Sequence, residues 1–307
     1  MRWSLIFSIL FILIGVPLMF LYFLPFSTID FVESGNYNFS LNNGVSEMQF
    51  YPNLRFASSD ISYKIHDCPL QKQNDMEFAF EIIQNITPLK FYSVVDNEDI
   101  SVTCGNRIVS DGGGYFIAGE GGPTNITVAG KFHVITGGEI LLIKQSDCQR
   151  PNIAIHELMH VLGFEHSNNP DNIMYNITKC SQVISEDMIQ LLNELYSVPS
   201  YSDLAFESVT STLKGRFLDV NFTVRNIGLN DAEDAVVNIY ADNNFVKEIN
   251  LEPIEIGNGR FMYIGNIWIS QLSINELKLV ITSDFNEISK TNNEIILEIK
   301  DKTNHQD

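Results

Sequence analysis

The sequence predicts an exported chain of two globular units, a mixed α/β domain over 51–199 and an all-β sandwich over 200–301, behind an apolar N-terminal helix. Three observations carry this. The chain has 307 residues, enough for two cores at roughly 100–200 residues per domain. Helix-period and strand-period segments alternate up to about residue 199, after which only short β-rich runs remain. Residues Trp3 to Phe26 contain no charge at all.

The N-terminal run comes first. Its twenty-four uncharged residues are long enough to cross a hydrocarbon layer of about 30 Å at 1.5 Å per residue. Arg2 precedes it and Asp30 and Glu33 follow, so the positive-inside bias places the remainder outside the cell. We read 1–27 as an uncleaved signal anchor or transmembrane helix, giving a single-pass protein of the cell membrane. A cleaved signal peptide and a secreted product are the alternative. Pro-Phe-Ser-Thr offers no small-x-small cleavage site, and the apolar run exceeds the about 7–15 residues of a signal core. Residues 28–50 are polar, hold Gly and Asn without a clear period, and read as a linker.

Over 51–199, Ile61–Ile65, Leu89–Val95 and Ile100–Cys104 read as strands, and Pro69–Ile86 as an amphipathic helix. Residues 111–122 hold six glycines and read as loop, or as turns around one short strand. Asn125–Gly130 and His133–Lys144 are strand candidates. Ile153–Gly163 is a helix ended by its glycine, and Ser185–Leu195 another, with Ser185 as N-cap and acids in its first turn. From about 201, six or seven short strands separated by Asn, Asp and Gly turns predict the sandwich. Residues 302–307 are left as a tail.

Lys and Arg number 19 against 38 Asp and Glu, a net charge of −19. No basic cluster stands out, which excludes sequence-independent nucleic-acid binding, since that needs cations to neutralise phosphates. Four cysteines in an exported chain of this length exclude a disulfide-dense mini-scaffold and allow two bridges, with three pairings. Asn38, Asn85, Asn125, Asn176 and Asn221 begin N-x-S/T sequons, as many would by chance in so Asn-rich a chain.

Three of six histidines fall within His156-Glu-Leu-Met-His160-Val-Leu-Gly163-Phe-Glu-His166. Spacing of four puts His156 and His160 on one helix face, both able to reach one metal ion. Glu157 lies about 100° round the helix, beside the metal and free to act as a base. Gly163 lets the chain turn and bring His166 back as third ligand. Three neutral imidazoles leave Zn2+ an open position for water.

This segment resembles the H-E-x-x-H-x-x-G-x-x-H signature of the metzincin metallopeptidases. Met174, in Asn172-Ile-Met-Tyr175, stands where that superfamily has its Met-turn. Ser167, Met174-Tyr175 and the helix at 185–195 resemble the matrixin (matrix metalloproteinase-like) branch. The resemblance implies an α+β domain with a twisted five-stranded sheet, four strands parallel and one antiparallel edge strand, and three helices. Asn125–Gly130 is then the edge strand, beside which a peptide substrate would lie. It implies a zinc endopeptidase with Glu157 catalytic, His156, His160 and His166 as ligands and Met174 beneath the metal. A non-catalytic cell-surface adhesion protein with a metallopeptidase-like domain is the alternative, against which Glu157 stands. The family topology also implies Cys68–Cys104 and Cys148–Cys180 bridges. Ca2+ is a second candidate cofactor: Asp111, Gly112–Gly114 and Glu120 could hold it, although a solvated turn explains them as well. No cysteine switch is present, and His133 alone does not predict a second zinc site. Asn176 stands where matrixins usually have Pro. Tyr175 reads as wall or as hydrogen-bond donor.

The C-terminal run, with Asn226-Ile-Gly228 and Asp284-Phe-Asn286-Glu287-Ile288 leading to Asn292-Asn293-Glu294, resembles the CARDB-type Ig-like domain. That implies placement or adhesion, with a cell-surface ligand or none. Trp268 reads as core.

Overall fold

The computed structural model describes residues 11–19, 28–33, 48–106, 109–110, 116–271 and 273–299. Residues 11–19 are helical. The rest of the expected 3–26 span, like the 302–307 tail, lies outside the described residues. Among the described residues no helix is long and apolar enough to cross a membrane.

The strands in chain order begin with β1 (Thr28–Glu33), followed by β2 (Leu54–Phe56), β3 (Asp60–Ile65), β4 (Lys90–Ser93) and β5 (Ile100–Cys104). A small ribbon of β6 (Val109–Ser110) and β7 (Phe116–Ile117) precedes the long hairpin of β8 (Gly119–Ala129) and β9 (Phe132–Leu142). Helices α1 (Leu70–Ile86), α2 (Asn152–Val161) and α3 (Glu186–Ser197) complete this unit. The sheet runs β4-β3-β5-β9, all parallel, with β8 antiparallel on the outer side of β9. It has one strand more than expected. Short β2 pairs with β9 at His133–Ile135, just beyond the stretch that β5 occupies. Met76, Ala79, Phe80 and Ile83 of α1 and Ile155, Leu158 and Met159 of α2 share one buried cluster with the sheet.

The edge strand is longer than the expected 125–130. It begins at Gly119, inside the glycine run read as loop. The reason is close approach. A Cβ at Gly121 would lie 2.3 Å from the backbone oxygen of Glu157, so only glycine lets the strand pass directly under α2. Glycine here therefore marks packing rather than a turn. Gly121→Ala should destabilise this domain by about 1–3 kcal/mol, the usual cost of overpacking, because backbone stands on both sides of the clash. Denaturant unfolding of the variant would measure it.

The second unit comprises β10 (Leu204–Lys214), β11 (Phe217–Asn226), β12 (Ala235–Ala241), β13 (Asn244–Leu251), β14 (Gly259–Trp268), β15 (Glu276–Ser283) and β16 (Glu294–Ile299). Alternating apolar residues on β11, β12 and β15 turn inward, giving the period-2 burial of a sandwich. Trp268, expected in the core, is 47% exposed.

The linker expected over 28–50 is corrected at both ends. β1 pairs with β10 over Thr28–Phe31 and with β16 over Phe31–Glu33, so it joins β10-β11-β14 to β16-β15-β12-β13 in one continuous eight-stranded sheet that folds over as the sandwich. Phe31 is buried in that core. At the other end, Gln49 bridges to Phe164, the Phe50 N–H donates to the Gly163 carbonyl and the Glu165 N–H to Met48. Six residues are too few to show a period, and their partners lie some 180 positions away. The first unit is thus inserted between the first strand of the sandwich and the remaining seven. The two units touch where Ala129, Phe132 and Val134 of the β8–β9 hairpin bury against Leu229.

Candidate metal centre

Helix α2 starts behind Pro151 and stays helical to Val161; nine of its ten residues are buried. Gly163 then adopts φ +97°, a conformation that side chains resist, and the chain doubles back to His166. His156 and His160 are both buried. Each is oriented by a carbonyl: the Nδ1–H of His156 donates to Ile173 and that of His160 to Phe164, both at 2.7 Å. These bonds fix the tautomer and leave each Nε2 as a bare lone pair. The Nε2 atoms nevertheless converge. His156 and His160 are 3.0 Å apart, His160 and His166 3.1 Å, His156 and His166 3.3 Å.

Acceptors this close repel unless a cation sits between them. Imidazoles on a tetrahedral Zn2+ at about 2.0–2.1 Å would hold their nitrogens about 3.3–3.4 Å apart, and the observed triangle fits that within a few tenths. Burial, reinforced by the neighbouring His156, holds His160 down at about 4, and burial also lowers His156. Both therefore stay neutral, as ligands must be. Among the described residues no second group of three His, Cys, Asp or Glu side chains converges this way. Asp111 and Gly112–Gly114 of the expected calcium loop lie outside the described residues, and Glu120 is exposed. His133 stands apart from this cluster: its Nδ1 meets the Pro52 carbonyl at 2.8 Å and its ring stacks on Tyr51.

Glu157 is buried, 6% exposed, between the helix and the glycines of β8. Burial, and then the Glu120 carboxylate, push it up to about 8. A dication on the adjacent imidazoles would oppose that rise. A buried carboxyl with so little polar company suits a proton carrier better than a structural ion pair.

Met174 is 1% exposed and sits in a tight turn. Its N–H donates to the Asn172 Oδ1 at 2.8 Å, and its carbonyl accepts the Ser167 N–H at 2.8 Å. Ile173, whose carbonyl orients His156, is thereby held between two anchored neighbours. Asn172 is the residue that the sequence reading missed. Its amide also donates to Ser185 Oγ at 2.9 Å, so Ser185 holds the N-cap position of α3 but spends its hydroxyl on the Met174 turn. A signal existed, because an Asn side chain bonding the backbone two residues on is a common turn device. Gln182 was missed as well. It is 1% exposed, donates to the carbonyls of Pro170 and Ile177, and accepts from Lys179 N–H. One side chain thus holds a loop that has no regular structure. Phe50 stacks on the His160 ring, 6.0 Å between centroids. Tyr175 is half-buried beside Ser167.

Cys68 bonds Cys104, joining the exit of β3 to the end of β5. Cys148 bonds Cys180, clamping the entry to α2 against the segment after Met174. Cys148→Ser with Cys180→Ser opens a loop of sequence separation 32. On the chain-entropy account this should cost about 3–4 kcal/mol. Calorimetry and retained metal per chain should both register the loss.

Residues 55–197 match the Matrixin family and residues 202–296 the CARDB family. Matrix metalloproteinase-16 of Rattus norvegicus is 27% identical over 179 residues, covering 48% of this chain and 27% of its own length. Macrophage metalloelastase of Oryctolagus cuniculus is 31% identical over 154 residues, covering 45% of this chain and 33% of its own. The chain thus spans about a quarter to a third of the length of these relatives. Among solved structures, high choriolytic enzyme 1, a hatching enzyme zinc-protease from Oryzias latipes, overlaps 46% of this chain and 90% of its own at 15% identity, with a TM-score of 0.30.

Proposed function

We propose that this chain, a matrixin domain at 55–197 followed by a CARDB domain at 202–296, is a zinc-dependent endopeptidase of the cell exterior, anchored in the membrane through residues 3–26. The observation that carries the catalytic part is the triangle of three Nε2 lone pairs with Glu157 buried beside it. His156, His160 and His166 would hold Zn2+, which supplies Lewis acidity toward a water and a scissile carbonyl. Glu157 accepts the proton of the attacking water and returns it to the leaving amine. The carbonyls of Ile173 and Phe164 keep His156 and His160 in the ligating tautomer, and Asn172 keeps the turn that presents Ile173.

Among the described residues, strand β8 pairs on one side only, with β9. Its other edge offers backbone N–H and C=O groups along which an extended peptide can add as a further strand. That geometry selects unfolded or loop segments of proteins as substrates.

The test is casein hydrolysis by the purified chain in mild detergent, with and without a chelator, alongside metal analysis. One zinc per chain and chelator-sensitive cleavage are expected. A zinc-loaded chain that cleaves neither casein nor a peptide library would overturn the enzymatic reading and return the protein to cell-surface binding.

A further inference from the structure

The sandwich has two unlike ends. At one end the connections from β11 to β12 and from β13 to β14 meet the protease unit. Leu229 buries against Phe132, Gly257 lies against Val128 and Ile227 against Gly130. At the far end lie the turn between β10 and β11, the turn between β12 and β13 and the point where β1 enters. The register places Thr28 opposite Lys214, Lys214 opposite Phe217, and Phe217 opposite Trp268, a single row across three strand pairs.

The chain arriving at Thr28 comes directly from the apolar run that ends at Phe26. Two residues reach about 7 Å at most. If that run enters a bilayer, the far end of the sandwich is held within that distance of the membrane surface.

The side chains there suit such a place. Phe217 is 38% exposed, Phe245 59% and Trp268 47%, each a large apolar surface facing outward. Phe217 and Trp268 meet edge-on at 5.6 Å, and the Arg216 guanidinium lies 5.3 Å over the Trp268 ring. Lys214 is half exposed and pairs with Asp219 at 3.3 Å. Of the nearby acids, Asp219 also accepts the Asn266 N–H and Asp242 those of Asn275 and Glu276, while Glu276 and Glu298 stand opposite each other on β15 and β16. Asp30 is exposed and bonds Thr212. Trp with Lys and Arg is the composition that settles at the headgroup level, ring bodies among the acyl ends and cations toward phosphate. A chain of net charge −19 has few cations to spare, and Lys214 stands in the row beside the anchor with Arg216 in the adjoining turn.

We propose that the end of the CARDB domain carrying Lys214, Arg216, Phe217 and Trp268 seats in the headgroup layer of the membrane that residues 3–26 enter. The domain is then a pedestal. Its ten-residue strand β11 holds the protease about 30 Å above the bilayer, at about 3.3 Å per residue. The seat rests on the membrane-anchored reading of the preceding section, and the experiment separates the two.

The chain has two tryptophans, so Trp3→Phe leaves Trp268 as the sole tryptophan, excited selectively at the red edge of the absorption band. The full-length variant is reconstituted into phosphatidylcholine vesicles containing a minority of phosphatidylglycerol, with or without lipids brominated near the headgroup end of the acyl chains. The chain should float with the vesicles, and brominated lipid should cut Trp268 emission at least about twofold, as for an interfacial ring. A second variant adds Arg216→Glu and Phe217→Ser. It should still float and cleave casein at the unaltered rate, but lose the quenching, because only the seat is removed. Flotation with Trp268 unquenched, or quenching that persists in the second variant, would overturn the seat and leave the anchor standing. A chain that fails to float would overturn both.

Discussion

Glu157→Gln is expected to keep one zinc per chain and to lower peptide turnover by at least about 10², the lower range for loss of a general base. The amide has the shape of the carboxyl and fits between α2 and the glycines of β8, but it cannot take a proton from water. The two possible causes of lost activity separate by thermodynamics. Without the metal, burial pushes the carboxyl up to about 8, so the ionised form is disfavoured in the metal-free fold. Replacing it with a neutral isostere should therefore leave the unfolding temperature of the metal-free chain unchanged or raise it. Turnover within about threefold of the parent in a zinc-loaded Glu157→Gln chain would remove Glu157 from the mechanism.

Phe31→Ala is expected to destabilise the sandwich by about 3–5 kcal/mol, the usual cost of truncating a buried Phe. Phe31 is 4% exposed and belongs to the same cluster as Val209, Leu213 and Leu297. Read from the sequence as part of a polar linker, it would tolerate Ala at no cost. Denaturant unfolding followed through Trp268, in the Trp3→Phe background, decides between these. An unchanged midpoint and slope would place Thr28–Glu33 outside the folded sandwich. The same insertion makes cleavage between residues 33 and 48 a poor way to shed the protease, because β1 stays paired with β10 and β16.

How much of this was legible in advance depended on distance along the chain. The donor set could be read because its order is local: a spacing of four on a helix and one glycine turn bring three histidines together over eleven residues. The strands of the sandwich could be read because each carries its own alternation, as in Val220, Phe222 and Val224. Three features could not. β1 finds its partners some 180 and 268 positions later in the chain. Arg55 is 1% exposed in the core, yet satisfied by the carbonyls of Phe56, Leu195 and Val198, a role that no neighbouring residue announces. Lys72 likewise aims its ammonium at the Gly105 and Ile143 carbonyls, so two cations that would suggest solvent-facing positions instead tie loops to elements.

By itself the sequence determined the kind of chemistry and the order of the parts: an apolar start, a three-histidine donor set with an acid beside it, and a β-rich close. These follow from residue types at short spacings, where helix and strand periods leave little choice. The tertiary structure alone decided how the parts engage. It decided that the glycines at 119 and 121 are strand, because the helix above leaves no room for a Cβ. It decided that two carbonyls hold His156 and His160 in the ligating tautomer, because the turn around Met174 and the bend after Gly163 place them there. And it decided that the protease stands on the sandwich rather than merely preceding it, because backbone hydrogen bonds left open at two strand edges are closed by six residues from the far end of the chain.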